Sequence, residues 1–166
     1  MGPRVIICFS RLMIVKIISI GNKLNSWESK SIEHYKKQLP RNISINFINM
    51  KTNQNPKFSK SEILKRESAI ILPKIIKEDY IISWDLAGDQ INSLQFSDLI
   101  ANCQKINKTI CFIIGGSFGL SSKIKELSDR VLSVSSMTFP HKIFKLILIE
   151  QIYRAYSIMN KTPYHK

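Results

Sequence analysis

Acidic residues are scarce in this 166-residue chain: 12 Asp and Glu stand against 25 Lys and Arg, for a formal charge of +13 and a pI near 9.8. The imbalance excludes an acidic solvating chain and the near-neutral surface of an ordinary metabolic enzyme, and it points to a polyanionic partner. Nineteen of the 25 cations are Lys, and Ile and Asn are abundant, a composition that AT-rich codon drift also produces. Cysteine is scarce as well. Cys8, Cys103 and Cys111 are odd in number and show neither a C-x-x-C nor a zinc-ligand spacing, which argues against a disulfide framework or a metal centre and fits a reduced, cytoplasmic setting. Long apolar runs are missing too: the longest uncharged stretch, 109–122, is shorter than the ~18–20 residues of a membrane span and holds three glycines. Val5 to Ser10 is apolar but lies between Arg4 and Arg11, too short for a secretory hydrophobic region. The chain reads as soluble.

What is present is a globular balance, 44% hydrophobic and 22% charged, in a length suited to one domain. Met13 to Gly21 is a β-branched run closed by Gly, the pattern of a buried strand. Asn25 with Glu28, and Ser59 with Glu62, carry capping-box spacing and start helices that end near Pro40 and Pro73. Ile43, Ile45 and Phe47 alternate as a half-buried strand; Tyr80 to Trp84 and Thr109 to Ile114 are further strands, with a helix from Ser93 to Ile106 between them. A short helix from Ser121 to about Asp129 precedes a fifth strand, Val131 to Ser135. Pro140 suits the first position of a long amphipathic helix reaching about Asn160. This β-α-β-α-β-α-β order predicts an α/β fold with a parallel sheet.

Two loops at strand ends suggest a ligand crevice. Gly115-Gly116-Ser117-Phe118-Gly119 follows a strand, but it is not G-x-G-x-x-G and no Walker lysine follows, so dehydrogenase and NTPase readings lose support. Taken alone it is equally a tight strand-to-helix turn. Ser136 to His141 forms the second loop, between a strand and a helix.

The run Ile114-Gly115-Gly116-Ser117, with Gly119-Leu120-Ser121 after it, then Leu132 to His141 (LSVSSMTFPH), then Leu148 to Met159 (LIEQIYRAYSIM), and the terminal Pro163-Tyr164-His165-Lys166 resemble the ribosomal RNA large subunit methyltransferase H family. Those small SPOUT enzymes methylate N3 of a pseudouridine in 23S ribosomal RNA. The resemblance runs over residues 13–166, is weaker between Lys51 and Lys77, and leaves residues 1–12 outside as an N-terminal extension.

The resemblance implies a single α/β domain with a C-terminal trefoil knot, acting as a homodimer on the ribosome, with S-adenosylmethionine as cofactor and no metal. It places the cofactor against Trp84, Gly115, Val134, Ser135, Ser136, Met137, Thr138 and Phe139. Trp84 departs from the smaller aliphatic residue, often Leu, usual in the family, so the indole is expected to narrow or reshape the adenine slot. The tail is implied to join a composite site with a second protomer. There Arg154, Tyr164 and His165 are the expected catalytic residues: His165 suits proton transfer near pH 7, Arg154 suits developing negative charge, and Tyr164 suits the base. Lys166 is matched to phosphate.

Other readings of these residues stay open. Arg154 is equally a dimer salt-bridge residue, Glu150 a polar partner across a dimer, His34 solvated surface, and His141 a first-turn structural or dimer contact rather than a base. The wide apolar stripe of Ile143, Leu146, Ile147 and Leu148 supports a dimer. The competing function is a non-catalytic basic RNA-binding module on the same fold. Such a module would have no reason to keep both cofactor loops and the tail.

Overall fold

A computed structural model of the chain describes residues 12–21, 23–52 and 55–165. The expectations placed on Cys8, on residues 1–11 of the extension, on Lys166 and on the His165 side chain lie outside the described residues. Five strands, β1 (Met13–Ile20), β2 (Ile43–Met50), β3 (Tyr80–Gln90), β4 (Ile110–Ile114) and β5 (Arg130–Ser133), alternate with helices α1 (Ser26–Gln38), α2 (Lys60–Ile71), α3 (Ser93–Lys105), α4 (Ser122–Glu126) and α5 (His141–Met159). The strands pair in parallel in the order β2-β1-β4-β3-β5, so the expected parallel α/β sheet is present.

β1 shows why this sheet needs continuous apolar strands. Met13, Val15 and Ile17 join the core cluster with Ile32 of α1, Ile100 of α3 and Phe144, Ile149 and Ile152 of α5. Ile18 and Ile20 join a second cluster with Ile71 of α2 and Ile124 of α4. Helices thus cover both faces, and a strand with two buried faces loses the apolar–polar alternation. Cys103 and Cys111 are buried and free, and burial pushes their thiols up to about 11 and about 12, so neither is a nucleophile near neutral pH.

Both predicted capping boxes form, and Asn92 with Gln95 makes a third at α3. Glu28 does more than cap. Its Oε2 accepts from the Asn25 N–H at 2.5 Å, while its Oε1 faces Lys142 Nζ at 3.4 Å across to the first turn of α5. One turn further on, the fully buried Lys145 donates to Asn49 Oδ1 at 2.7 Å, an oxygen that also accepts from Ser19 Oγ at 2.8 Å. Burial lowers the pKa of the Lys145 ammonium, the Glu28 carboxylate opposes the shift, and Lys142 adds to it. Glu28→Ala is expected to cost about 3 kcal/mol in urea unfolding, because it removes a cap and strips the counter-charge from a buried cation. A loss under about 1 kcal/mol would show that Lys145 needs no such partner.

Four boundaries differ from the sequence reading. α4 ends at Glu126 rather than reaching about Asp129. β3 continues past Trp84 to Gln90: after a register shift between Trp84 and Asp89, both residues face Leu132 of β5, and the segment between them bulges outward. Asp85 Oδ1 accepts from the Ala87 N–H at 3.0 Å and shapes that bulge. β5 ends at Ser133, so Val134 and Ser135 belong to the following loop. Pro140 is the N-cap of α5 rather than its first helical residue, with extended ψ of 137°.

Candidate cofactor cavity and C-terminal cluster

The carboxyl ends of β3, β4 and β5 border a cavity of about 230 Å³. After β4 the chain passes β3 to form β5 on its far side, and such a change in strand order is where an open α/β sheet leaves room for a ligand. Gly115 and Gly116 supply one wall. A Cβ on Gly115 would overlap the backbone carbonyl of Gly119, so that position has no room for a side chain, and one on Gly116 would have to displace the Glu67 carboxylate. The Gly119 N–H donates to the Gly116 carbonyl at 3.1 Å, and Gly119 adopts φ of +77°, which closes the turn.

The loop after β5 supplies the opposite wall through Val134, Ser135, Met137, Thr138 and Phe139. Ser135 Oγ accepts from the Met137 N–H at 3.0 Å and holds the loop's shape. The expected cofactor residues therefore converge, with one exception. Ser136 is not among the wall residues; its Oγ accepts from Gln90 Nε2 at 3.4 Å instead.

Trp84 borders this cavity and a second one of about 330 Å³ between α3 and α5, so it acts as a partition. Its indole packs against Phe144, Phe112 and Phe96, with ring centroids 5.3, 6.1 and 6.2 Å away, and its Nε1 is buried without a hydrogen-bond partner.

Sequence reasoning missed two polar side chains at this cavity, Asp85 and Glu67, and read a third, His141, as a structural or dimer contact. Asp85 lines it, accepts from the Leu120 N–H at 3.3 Å and lies 3.7 Å from Lys125 Nζ, tying the β3 bulge to the glycine turn. His141 lines it from the start of α5. Glu67, buried in α2, reaches the turn from behind and accepts from the Gly116 N–H at 3.3 Å, while its Oε1 has no hydrogen-bond partner. The signal for Glu67 was a carboxylate placed among Ile63, Leu64, Ile70 and Ile71 at helical spacing.

Burial raises the Glu67 pKa, with the Gly116 N–H opposing the shift. A carboxyl raised in the folded state contributes stability that is present below its unfolded pKa and lost as pH rises through the folded one. Glu67→Gln keeps an acceptor for Gly116 without the buried charge. The variant is expected to melt above the wild type at pH 7 and to lose that advantage at pH 4, as read by thermal unfolding at both values.

At the far end of α5, Arg154 Nε and Nη2 donate to Glu150 Oε1 at 2.9 and 2.5 Å, and Tyr164 Oη donates to the same oxygen at 3.1 Å. The guanidinium lies 5.0 Å from the Tyr164 ring centroid, and the Tyr153 ring 4.7 Å from it. The Glu150 hydrogen bond raises the Arg154 pKa above its usual value; burial, then hydrogen bonds to Tyr35 and Glu150, raise that of the Tyr164 phenol. Arg154 is therefore a fixed cation near neutral pH, and Tyr164 keeps its proton.

Glu150, expected as a partner across a dimer, is satisfied within its own chain by Arg154, Tyr164 and Gln151. Two of the three expected catalytic residues are thus in contact, and His165 follows them in a short 3₁₀ turn, Pro163–His165. His34 is exposed and bonded to Gln38, as expected for a solvated residue. Among the described residues, no group of three or more His, Cys, Asp or Glu side chains converges as a metal site would require, and no helix is long and apolar enough to cross a membrane.

Residues 13–165 match the family profile described as "Predicted SPOUT methyltransferase". A protein of Clostridium botulinum (strain Hall) named ribosomal RNA large subunit methyltransferase H is 40% identical over 159 residues, covering 93% of this chain and 100% of that protein. One of Clostridium perfringens (strain SM101) named ribosomal RNA large subunit methyltransferase H 1 is 37% identical over the same coverage. The crystal structure of a probable methyltransferase from Bordetella pertussis Tohama I aligns with a TM-score of 0.58 at 8% identity, covering 89% of this chain and 96% of that one, a likeness of fold. The glycine turn, the loop after β5 and the Arg154 cluster all fall inside the matched span, and with whole-length identity at this level the chain belongs to the ribosomal RNA large subunit methyltransferase H family of SPOUT methyltransferases.

Proposed function

We propose that the protein transfers a methyl group from S-adenosylmethionine to N3 of a pseudouridine in the 23S RNA of assembled ribosomes, in the cytoplasm, as a homodimer. The relatives' names motivate the RNA substrate. The structural observation that carries the reading is a separation. The cavity is lined by His141 and Phe144 at one end of α5, whereas Arg154 lies thirteen residues beyond His141, a rise of roughly 20 Å. One chain is therefore poorly placed to bring both to a single nucleotide, and a second copy that lays its Arg154 end near this cavity completes the site. The trefoil knot implied for the C-terminal third belongs to the same proposal.

S-adenosylmethionine is the family's methyl donor, and the residues present fit it. The side-chain-free turn at Gly115 and Gly116 lets a ligand approach the backbone wall closely, and Val134, Met137 and Phe139 form an apolar slot suited to adenine. When bound, the donor supplies an electrophilic methyl on a cationic sulfur and its own neutral leaving group. The chain's residues supply alignment and charge. The imide N3 of the acceptor holds a proton near neutral pH; His165 is the proposed proton acceptor, and Arg154 stabilises the negative charge that develops on the ring. Tyr164, proton retained, would hydrogen-bond or stack on the base, and Lys166 would meet a phosphate.

Charge is distributed to match. Residues 13–79 carry +7 and 123–166 carry +5, while 80–122, which include the glycine turn, carry −1. Basic flanks would hold RNA over a near-neutral cavity.

The test is methyl transfer from labelled S-adenosylmethionine to ribosomes purified from a strain lacking this gene. Label is expected in large-subunit RNA. Donor binding without label would favour a non-catalytic RNA-binding module.

A further inference from the structure

His141 has no part in the reaction outlined above, yet it lines the cofactor cavity from the first turn of α5. Its Nδ1 is buried and has no hydrogen-bond partner. Nε2 is then the ring nitrogen left to serve the cavity.

The state of the ring follows from what each nitrogen can tolerate. A proton on Nδ1 would strand an N–H donor in a sealed site, and orphaned buried donors are rarer and costlier than bare acceptors. The neutral ring therefore keeps its proton on Nε2 and leaves a lone pair on Nδ1. Protonating both nitrogens would strand the same donor and add a cation at the positive end of the α5 dipole. The charged groups around the ring act in the same sense on balance. Lys142 and Lys145 stand on α5 itself, Glu28 of α1 is engaged with Lys142, and Asp85 of β3 shares the cavity wall but is held by Leu120 and Lys125. Burial, and then the Lys145 ammonium, lower the imidazole pKa.

We infer that His141 is a neutral hydrogen-bond donor, through Nε2–H, to an acceptor atom of the bound methyl donor, and that it is not a proton acceptor in the reaction. The inference rests on the assignment of this cavity to the cofactor. The acceptor belongs either to the amino-acid carboxylate or to the nucleoside portion, since both present lone pairs. A donor at this point binds and orients the cofactor, and it leaves removal of the N3 proton to other groups.

Calorimetric titration with S-adenosylmethionine tests the inference on wild type, His141→Phe and His141→Gln, whose amide N–H reaches about as far as Nε2. Phe is expected to weaken binding about tenfold, the effect of one lost hydrogen bond, and Gln to stay within about threefold of wild type. Repeating the titration with S-adenosylhomocysteine and 5′-methylthioadenosine locates the acceptor: a loss with the first alone points to the carboxylate, a loss with both to the nucleoside.

Nitrogen-15 NMR of the imidazole gives a readout independent of either variant's folding. The Nε2–H tautomer is expected at pH 7, with its signal moving on addition of the donor. Wild-type affinity in the Phe variant, a Gln variant as weak as Phe, or a ring protonated on Nδ1 would each overturn the inference. If Gly115→Val leaves donor binding intact, it is the cavity assignment that has failed.

Discussion

Gly115→Val is expected to raise the dissociation constant for S-adenosylmethionine about a hundredfold, ~2.7 kcal/mol, with the fold retained. The added Cβ meets the Gly119 carbonyl and comes within 3.0 Å of Leu120 Cδ2. A backbone carbonyl cannot rotate away as a side chain can, so the turn from Gly115 to Gly119 must open, at a cost of roughly 1–3 kcal/mol typical of overpacking. That opening moves the wall opposite Met137 and Phe139. The hydrophobic core is spared because Gly115 lies beyond the last paired residue of β4, Ile114. Calorimetry and circular dichroism on the same sample check both halves of the expectation, and affinity within threefold of wild type would contradict the placement of the cofactor.

Arg154→Ala is expected to lower methyl transfer by a factor of about 10²–10³ while leaving donor affinity unchanged, the pattern of an interaction made with developing charge. The expected sparing of affinity follows from the role given to Arg154, which meets charge that develops on the acceptor ring and not the bound donor. Mixing the two variants then separates a site shared between copies from one held within a chain. After random exchange about half the dimers carry one Gly115→Val and one Arg154→Ala chain, and each of those has one intact shared site, for about a quarter of wild-type activity. If both groups acted within one chain, every site would hold one defect and mixing would restore nothing.

Local chemistry was legible in the sequence where it is settled within a few residues. The Asn25–Glu28 and Ser59–Glu62 boxes close over three residues, and the β-branched run of β1 announces a strand buried on both faces. β3 was read short because Asp85 to Gly88 has the composition of a turn; it resumes pairing only against β5, more than forty residues away. Ser136 was placed on the cofactor wall by position in a motif, yet its hydroxyl is taken up by Gln90, a contact that exists only once β3 is extended.

Glu67 and Lys145 each interrupt an apolar helix face, which was visible. What they answer to was not, since their partners Gly116 and Asn49 are 49 and 96 residues distant. The same holds for His141, whose position after Pro140 reads as a helix start until the β3, β4 and β5 ends assemble a cavity against it. The cavity residues were reachable through resemblance. Glu150 was not, because a carboxylate on an apolar stripe fits an intersubunit partner as well as the intrachain hub for Arg154 and Tyr164 that it proves to be.

Nucleoside mass spectrometry of 23S RNA tests the central assignment most directly, comparing ribosomes from a strain lacking this gene before and after incubation with the purified protein and S-adenosylmethionine. The expected result is loss of one unmodified pseudouridine and the matching appearance of 3-methylpseudouridine, absent when the Gly115→Val protein is used. Methylation of a different nucleoside, or no methylated product from protein that binds the donor, would contradict it.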